Sequence, residues 1–536
     1  MLAILDTAVV SGLRGELVRV EVDVAPGLPS CQIVGLPDAS LSEARERVRS
    51  AIRNAGFAYP LSRITVNLAP ADRRKHGAAY DVAIAIGILL ASEQLRASGG
   101  AWALLGELSL DGGIMPVRGV LPMVSTLREA GHRRVCVPLG NREEAGLVSD
   151  MEVIGVEGLD DVARLVAGPR GRTAAAARRR TPIRVAADGQ ASGTGTRNGA
   201  TGEGGPASGT MGAPGAARPT ELADVRGQQH ARWALEVAIA GQHNLLLIGS
   251  PGAGKTLLAR AAPGLLPRLS EEEAREVSVI RSVAGLDQPF ADRLARPFLA
   301  PHHTASYAAM VGGGPALRPG LVTQAHHGVL FLDELAEFDR DVLDALRQPL
   351  EDGSVEIVRA HGAVRYPARL QLIAAMNPCR CGWQGDPARA CRCPAREPER
   401  YMRRVSGPLL DRIDLRVVMP RLAPEELVGA AHPEASAAVA ERIARAWEAA
   451  LTRNAGRPNA LLRGRRLLEA CAMDRRTRED LMQVAGSLDL TARSVHRIMR
   501  VGRTIADLRG LEPVSSDEIL AAASLRDRSM ETELAA

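Results

Sequence analysis

Lysine is almost missing from this chain of 536 residues: of its 67 basic side chains only Lys75 and Lys255 are lysines, and the rest are arginines. Where arginine supplies positive charge in general, a retained lysine marks a place that needs a compact ammonium rather than a planar fork. Aromatic residues are also scarce, at 3%, so the cores are built from Ala, Val, Leu and Ile. No apolar run approaches the ~18 residues of a membrane span. The first residues, MLAILDTAVVSGLRGE, lack a basic leader and carry Asp6 inside their apolar stretch, so they do not read as a signal peptide. The reading is a cytoplasmic protein with no membrane partner, in which seven cysteines serve as thiols or metal ligands rather than as disulfides.

The excess of positive charge is local. Residues 168–220 hold eight arginines against Asp188 and Glu203, a net +6, whereas the formal charge of the whole chain is +5. The remainder is therefore close to neutral, and the basic balance alone says little about nucleic acid. This stretch is dominated by Gly, Ala, Ser, Thr and Arg, a composition that cannot bury enough apolar surface to order itself, and it reads as a disordered linker. Its run Arg178–Arg180 is either a solvated linker charge or an anion contact.

Around that linker the pattern is α/β. Residues 1–167 alternate strand candidates (18–24, 31–34, 63–68, 135–138) with helical stretches at 40–55 and 81–91. Residues 221–423 carry apolar strands followed by chemistry-bearing residues in βαβ order. Residues 424–536 turn helical, with candidates at 433–454, 475–485, 491–508 and 515–524.

The most specific motif is GSPGAGKT: Gly249, Ser250, Pro251, Gly252, Ala253, Gly254, Lys255 and Thr256. It matches the phosphate-loop pattern at every defined residue and follows the apolar run Leu245 to Ile248. Its glycines let successive backbone N–H groups face a phosphate, Lys255 neutralises β/γ-phosphate charge, and Thr256 ligates Mg²⁺. The run GVLFLDEL then delivers Asp333 and Glu334 at the end of a buried strand, 78 residues after Lys255. Asp333 suits Mg²⁺ held through water, and Glu334 suits polarisation of an attacking water. A third apolar strand, Leu370 to Met376, ends at Asn377, a polar group placed to orient that water. ATP and Mg²⁺ are the implied cofactors.

Beyond Asn377, Cys379, Cys381, Cys391 and Cys393 form two C-x-C pairs nine residues apart. Four thiolates on a loop can close a tetrahedral structural zinc site. The spacing also fits free or redox-active thiols, or an unstructured loop. A catalytic zinc is excluded, because four thiolates leave no open position. His302 and His303 are adjacent, which on a strand would point them apart and make them a poor metal pair. With Thr304 they read as a loop or a substrate contact.

Together GSPGAGKT, RPFLAPHHTAS, GVLFLDELAEF, AAMNPC and GPLLDRIDL resemble the magnesium-chelatase-like branch of the AAA+ ATPases, specifically the YifB/ComM family. The resemblance extends over the chain apart from the linker. It implies a three-layer P-loop core with a C-terminal α-helical lid, assembled into a ring, a homohexamer. In such rings an arginine of the DRIDL segment, here Arg412, acts across a subunit boundary, and the lid supplies a second in TARSVHR, here Arg493. The segment around His302 would belong to an insertion reaching the ring pore. The implied activity is a DNA motor driving branch migration during recombination of incoming DNA. The alternatives are a protein-remodelling or regulatory ATPase and a chelatase motor subunit.

Residues 106–131, GELSLDGGIMPVRGVLPMVSTLREAG, resemble the proteolytic domain of Lon. Where Lon carries its catalytic lysine this chain has Leu121 or its neighbours, and the serine region reads HGAAYDVAIA. Without nucleophile and base the expectation is a non-proteolytic α+β domain kept for assembly or DNA contact. Arg73, Arg74, Lys75 and His76 form its basic loop, either a DNA contact or a solvated turn.

Overall fold

The computed structural model describes residues 1–35, 39–70, 77–98, 101–168, 220–286, 293–314, 317–359, 362–386, 388–422 and 434–526. The linker apart from its end residues, the basic loop Arg73, Arg74, Lys75 and His76, and the first residues expected for the lid lie outside this set. The chain divides into two compact units, Met1–Ala217 with Arg281–Phe290, and Arg218–Ile280 with Ala291–Ala536.

The first unit is built on a mixed sheet. Its strands are β1 (Leu2–Ser11), β2 (Arg14–Ala25), β3 (Ser30–Val34), β4 (Arg63–Ala69), β5 (Ala103–Leu104), a separate pair β6 (Glu107–Leu108) and β7 (Ile114–Met115), then β8 (Arg134–Pro138) and β9 (Glu152–Val156). The spatial order is β3-β4-β2-β1-β5-β8-β9. β1 and β2 form a hairpin around Gly12, which takes a φ of 64°. Strand β2 shows the expected period of two: Val18, Val20 and Val22 are buried while Arg19 is exposed. Against that face lies the apolar helix Asp81–Ala91. Gly87 is what lets it approach, since a Cβ there would sit 2.6 Å from a Val22 methyl. At the helix start Asp81 is fully buried and accepts hydrogen bonds from Arg47 Nε at 2.8 Å and the Leu108 N–H at 3.3 Å. Leu121, at or beside the position where Lon carries its lysine, is a buried core residue.

The second unit holds a wholly parallel sheet. Its strands are β10 (Leu245–Gly249), β11 (Phe298–Leu299), β14 (Val329–Leu332), β17 (Gln371–Met376) and β18 (Leu415–Met419), with small antiparallel pairs β12 (Gly312–Gly313) with β13 (Arg318–Pro319) and β15 (Ser354–Arg359) with β16 (Gly362–Pro367). The order is β11-β14-β17-β10-β18. Strands β10, β14 and β17 are buried along their whole length, as continuous apolar runs in a parallel sheet covered on both faces must be. Helices Ser436–Arg453, Gly464–Cys471, Arg475–Ser487, Ala492–Arg509 and Ser516–Ser524 follow. Ile443, Ile498, Ile505 and Ile519 from these helices share one core with Leu247, Phe331, Ile373 and Val417 of the sheet. The mixed α/β class read from the sequence is the one observed. Among the described residues no helix is long and apolar enough to cross a membrane.

Candidate functional site

Strand order decides where chemistry can occur. β10 lies between β17 and β18, strands that come late in the chain, so its C-terminal end opens onto a switch point of the sheet. The Gly249–Thr256 loop starts there. Gly249 fits beside β18 only because it lacks a side chain: a Cβ would lie 2.4 Å from the Met419 carbonyl oxygen. Gly252 and Gly254 take φ of 82° and 91°, and a Cβ on Gly252 would meet nothing within 4 Å. The loop therefore presents open backbone, the form a phosphate cradle requires.

Lys255 is buried beneath this loop. Its ammonium donates to the Gly249 carbonyl at 2.6 Å, the Ser250 carbonyl at 3.0 Å and Asn377 Oδ1 at 3.1 Å. Burial pulls its pKa below the ordinary lysine value, and Asp333 and Glu334 oppose that pull. The Thr256 hydroxyl donates to Asp333 Oδ2 at 2.7 Å. Five of the expected residues, Lys255, Thr256, Asp333, Glu334 and Asn377, thus converge from the ends of β10, β14 and β17. A hydroxyl and a carboxylate in contact, beside a second carboxylate, form an all-oxygen donor set suited to Mg²⁺.

Glu334 adopts the left-handed region, φ 53°, at the end of β14, an uncommon conformation for a residue with a long side chain. Its carboxylate meets His303 Nδ1 at 3.3 Å. His302 and His303 do not lie on a strand. Their rings sit side by side, centroids 4.1 Å apart, and His302 Nδ1 bonds the Thr304 hydroxyl at 2.9 Å. The expectation that a strand would turn them to opposite sides does not hold. Gln228 is a further contributor that motif reading misses: its Nε2 donates to the Ala253 carbonyl at 3.2 Å and the Pro420 carbonyl at 2.6 Å, tying the loop to the segment after β18.

Arg412 and Arg493 are brought together elsewhere. Both guanidiniums reach the carboxylate of Glu351, Arg493 Nη2 at 3.4 Å from Oε1. The carbonyl of Arg412 accepts from Asn244 Nδ2 at 2.7 Å, and Asn244 immediately precedes β10. The arginine pair is therefore at the N-terminal edge of the sheet, and the Gly249–Thr256 loop is at the other edge. The five residues of β10, roughly 16 Å at ~3.3 Å each, lie between the Arg412 backbone and the loop.

The four loop cysteines also converge. Sγ separations are 3.4 Å for Cys379–Cys381, 3.7 Å for Cys379–Cys391 and 3.5 Å for Cys381–Cys391, and with Cys393 all four lie within 4.8 Å of one another. The Arg392 N–H, followed by that of Trp383, draws the Cys381 thiol down to about 6. A second group, Glu276, His326 and His327, is closed by its own bonds. Both Nε2 atoms face Glu276 Oε2, at 2.9 and 2.8 Å, and His326 Nδ1 accepts from the Arg369 N–H.

Three family models match the chain: magnesium chelatase, subunit ChlI, over residues 221–427; subunit ChlI of Mg-chelatase over 20–141; and the ChlI C-terminal model over 433–526. The competence protein ComM of Haemophilus influenzae is 40% identical over 528 residues, which cover 98% of this chain and 97% of that protein. The protein YifB of Escherichia coli is 39% identical over 531 residues, with the same coverage. The chain belongs to the YifB/ComM family. An uncharacterized full-length relative in Mycobacterium tuberculosis is 43% identical over 533 residues. Lon protease 2 of Bacillus subtilis is 30% identical over 151 residues, 27% of each chain, so the Lon likeness is partial. In this YifB/ComM chain the glycine-rich loop, the two acids and Asn377 all fall within the segment matched by the first chelatase model.

Proposed function

We propose that this YifB/ComM-family chain is a cytoplasmic, Mg²⁺-dependent ATPase that works as a homohexameric ring on DNA, driving branch migration during recombination of incoming DNA. The observation that carries the ATPase reading is the convergence of Lys255, Thr256, Asp333, Glu334 and Asn377 at one sheet edge. Lys255 neutralises the β/γ-phosphates, Glu334 polarises the attacking water, and Asn377 orients that water. Thr256 and Asp333 would hold Mg²⁺, whose charge offsets that of the phosphates. The ring reading rests on Arg412 and Arg493, which lie at the far edge of the sheet from their own loop. A guanidinium there is too distant for its own nucleotide and is presented to a neighbouring subunit, where it stabilises charge on the transferring phosphoryl group.

The DNA substrate draws its support from the relative named for competence. All three matching family models are named for a chelatase subunit, and this favours, as a second reading, a motor that remodels a protein partner. Steady-state ATPase activity with no DNA, single-stranded DNA, duplex DNA and a four-way junction, at low and high salt, separates the two. A DNA motor gives stimulation that vanishes at high salt, because backbone binding releases counterions, and that is absent in Lys255→Ala and Arg412→Ala. Unchanged turnover with every DNA, in assembled and active protein, overturns the DNA reading.

A further inference from the structure

We propose that Cys379, Cys381, Cys391 and Cys393 bind one Zn²⁺ as a closed tetrathiolate, and that the resulting loop braces the Gly249–Thr256 loop from outside. The first half stands on geometry. Sulfurs at the corners of a tetrahedron around zinc, each ~2.3 Å from the metal, lie about 3.8 Å apart. The Cys379–Cys381, Cys379–Cys391 and Cys381–Cys391 sulfurs here are 3.4 to 3.7 Å apart, far beyond the ~2.05 Å of a disulfide. Four thiols from two C-x-C pairs converge although the intervening segment supplies neither helix nor strand among its described residues. Cys379 is fully buried and the other three are half-buried, so the group is shielded as structural sites are. A tetrathiolate has no open position, which makes the role structural.

The second half stands on what the loop touches, and it rests on the reading of Gly249–Thr256 as the nucleotide site. Gly382, between the two cysteine pairs, lies against Pro251. A Cβ there would sit 2.6 Å from Pro251 Cδ and 3.8 Å from Asn377 Cγ. Gly382 holds φ 82°, and its N–H donates to the Cys379 carbonyl at 2.9 Å, so its position depends on the first cysteine pair. The next residue, Trp383, has the guanidiniums of Arg389 and Arg421 over its ring at 4.6 and 6.0 Å, which secures the loop to the segment following β18. The chain thus runs from Asn377 through the thiols and back onto Pro251. A metal at the thiols fixes both Asn377, a hydrogen-bond partner of Lys255, and the wall behind Pro251. Loss of the metal frees both at once.

The test begins with metal content rather than turnover. Purified full-length protein is analysed for zinc by mass spectrometry, and after exchange in reducing buffer is titrated with Co²⁺. One zinc per chain, and a cobalt spectrum with thiolate charge-transfer bands and tetrahedral d–d bands, is expected; both are lost in Cys391→Ser and Cys393→Ser. Fully reduced wild-type protein that takes up neither zinc nor cobalt overturns the site, and this result does not depend on whether the serine variants fold. The brace is read by fluorescent ATP-analogue binding to wild type, zinc-stripped wild type and Gly382→Ala. Zinc-stripped protein and Gly382→Ala, the latter with its zinc intact, are each expected to bind nucleotide about tenfold more weakly. Unchanged affinity in both overturns the brace and leaves the zinc site standing. A zinc-loaded wild type that binds no nucleotide overturns the nucleotide-site reading, and the brace with it.

Discussion

Arg412 and Glu351 form an ion pair in which the arginine is largely buried and the carboxylate about two-fifths exposed. Arg493 reaches the other oxygen of the same carboxylate. The two arginines proposed to act on a neighbouring subunit are therefore held by one acid, on the short helix Arg347–Asp352. Hydrogen bonding to Arg412, then its charge, keeps the Glu351 carboxyl below the usual range. To engage a phosphate, either arginine exchanges this partner for a more highly charged one.

Glu351→Gln keeps the shape and removes the competing charge. A partly exposed pair is worth ~0–1 kcal/mol, so ATPase activity at limiting ATP is expected to rise by no more than about fivefold. The measurement is turnover against ATP concentration for wild type and variant at equal degrees of assembly. A drop below wild type would show that Glu351 positions the arginines and does not compete for them.

Lys255→Arg is expected to behave like Lys255→Ala. The ammonium has three acceptors converging on it, two carbonyls and Asn377 Oδ1, at 2.6 to 3.1 Å. A planar guanidinium cannot place its donors on three such points in a buried pocket. Losing one preorganised charge stabiliser costs roughly 10²-fold in turnover, and steady-state ATPase assays of both variants check it. Retention of more than half of wild-type activity by Lys255→Arg would refute the shape argument.

What was legible in the sequence is what local pattern encodes. Three apolar runs ending in Gly-rich, acidic or Asn residues mark three neighbouring strand ends, and the structure places them side by side as β10, β14 and β17. Four of the helices after residue 434 lie within a few residues of their 3.6-residue patterns, whereas the short helix Gly464–Cys471 was not expected. Contacts between distant segments leave no such trace. Glu351, in the stretch LEDG, reads as a surface charge, and its partners lie 61 and 142 residues away. Gln228 looks like an ordinary loop residue until the fold sets it against Ala253, and nothing in the sequence pairs His303 with Glu334. Strand β1 is missed for another reason: MLAILDTAVVS reads as one short apolar stretch, and only pairing with β2 on one side and β5 on the other reveals a strand.

Glu334→Gln separates binding from chemistry. The amide keeps the size of the side chain and cannot act as a base, so hydrolysis is expected to fall by about 10²-fold or more. Affinity for a fluorescent ATP analogue is expected to stay close to wild type, because Lys255 and the loop backbone are untouched. A parallel loss of binding would place Glu334 in the nucleotide-holding set rather than at the water.

Asp414 links the parallel sheet to the helix Ala492–Arg509. Its carboxylate accepts from Arg500 Nη2 and the Asn244 N–H, each at 3.3 Å, with His243 Nδ1 at 3.7 Å. Burial raises its pKa, but Arg500, His243 and Arg497 outweigh burial and hold it at about 2, down from 3.8. A depressed carboxyl pKa stabilises the fold above the unfolded value and loses that contribution as pH falls through the folded one. Asp414→Ala leaves Arg500 without its charge partner in a largely buried setting, at a cost of about 3 kcal/mol. Urea unfolding of the full chain followed by tryptophan fluorescence reads this, since Trp233, Trp383 and Trp447 report on the second unit. The difference in midpoint between wild type and variant is expected to be constant from pH 7 to 4 and to shrink toward pH 2. A difference that already collapses near pH 5 would show that the carboxylate is not held by these three groups.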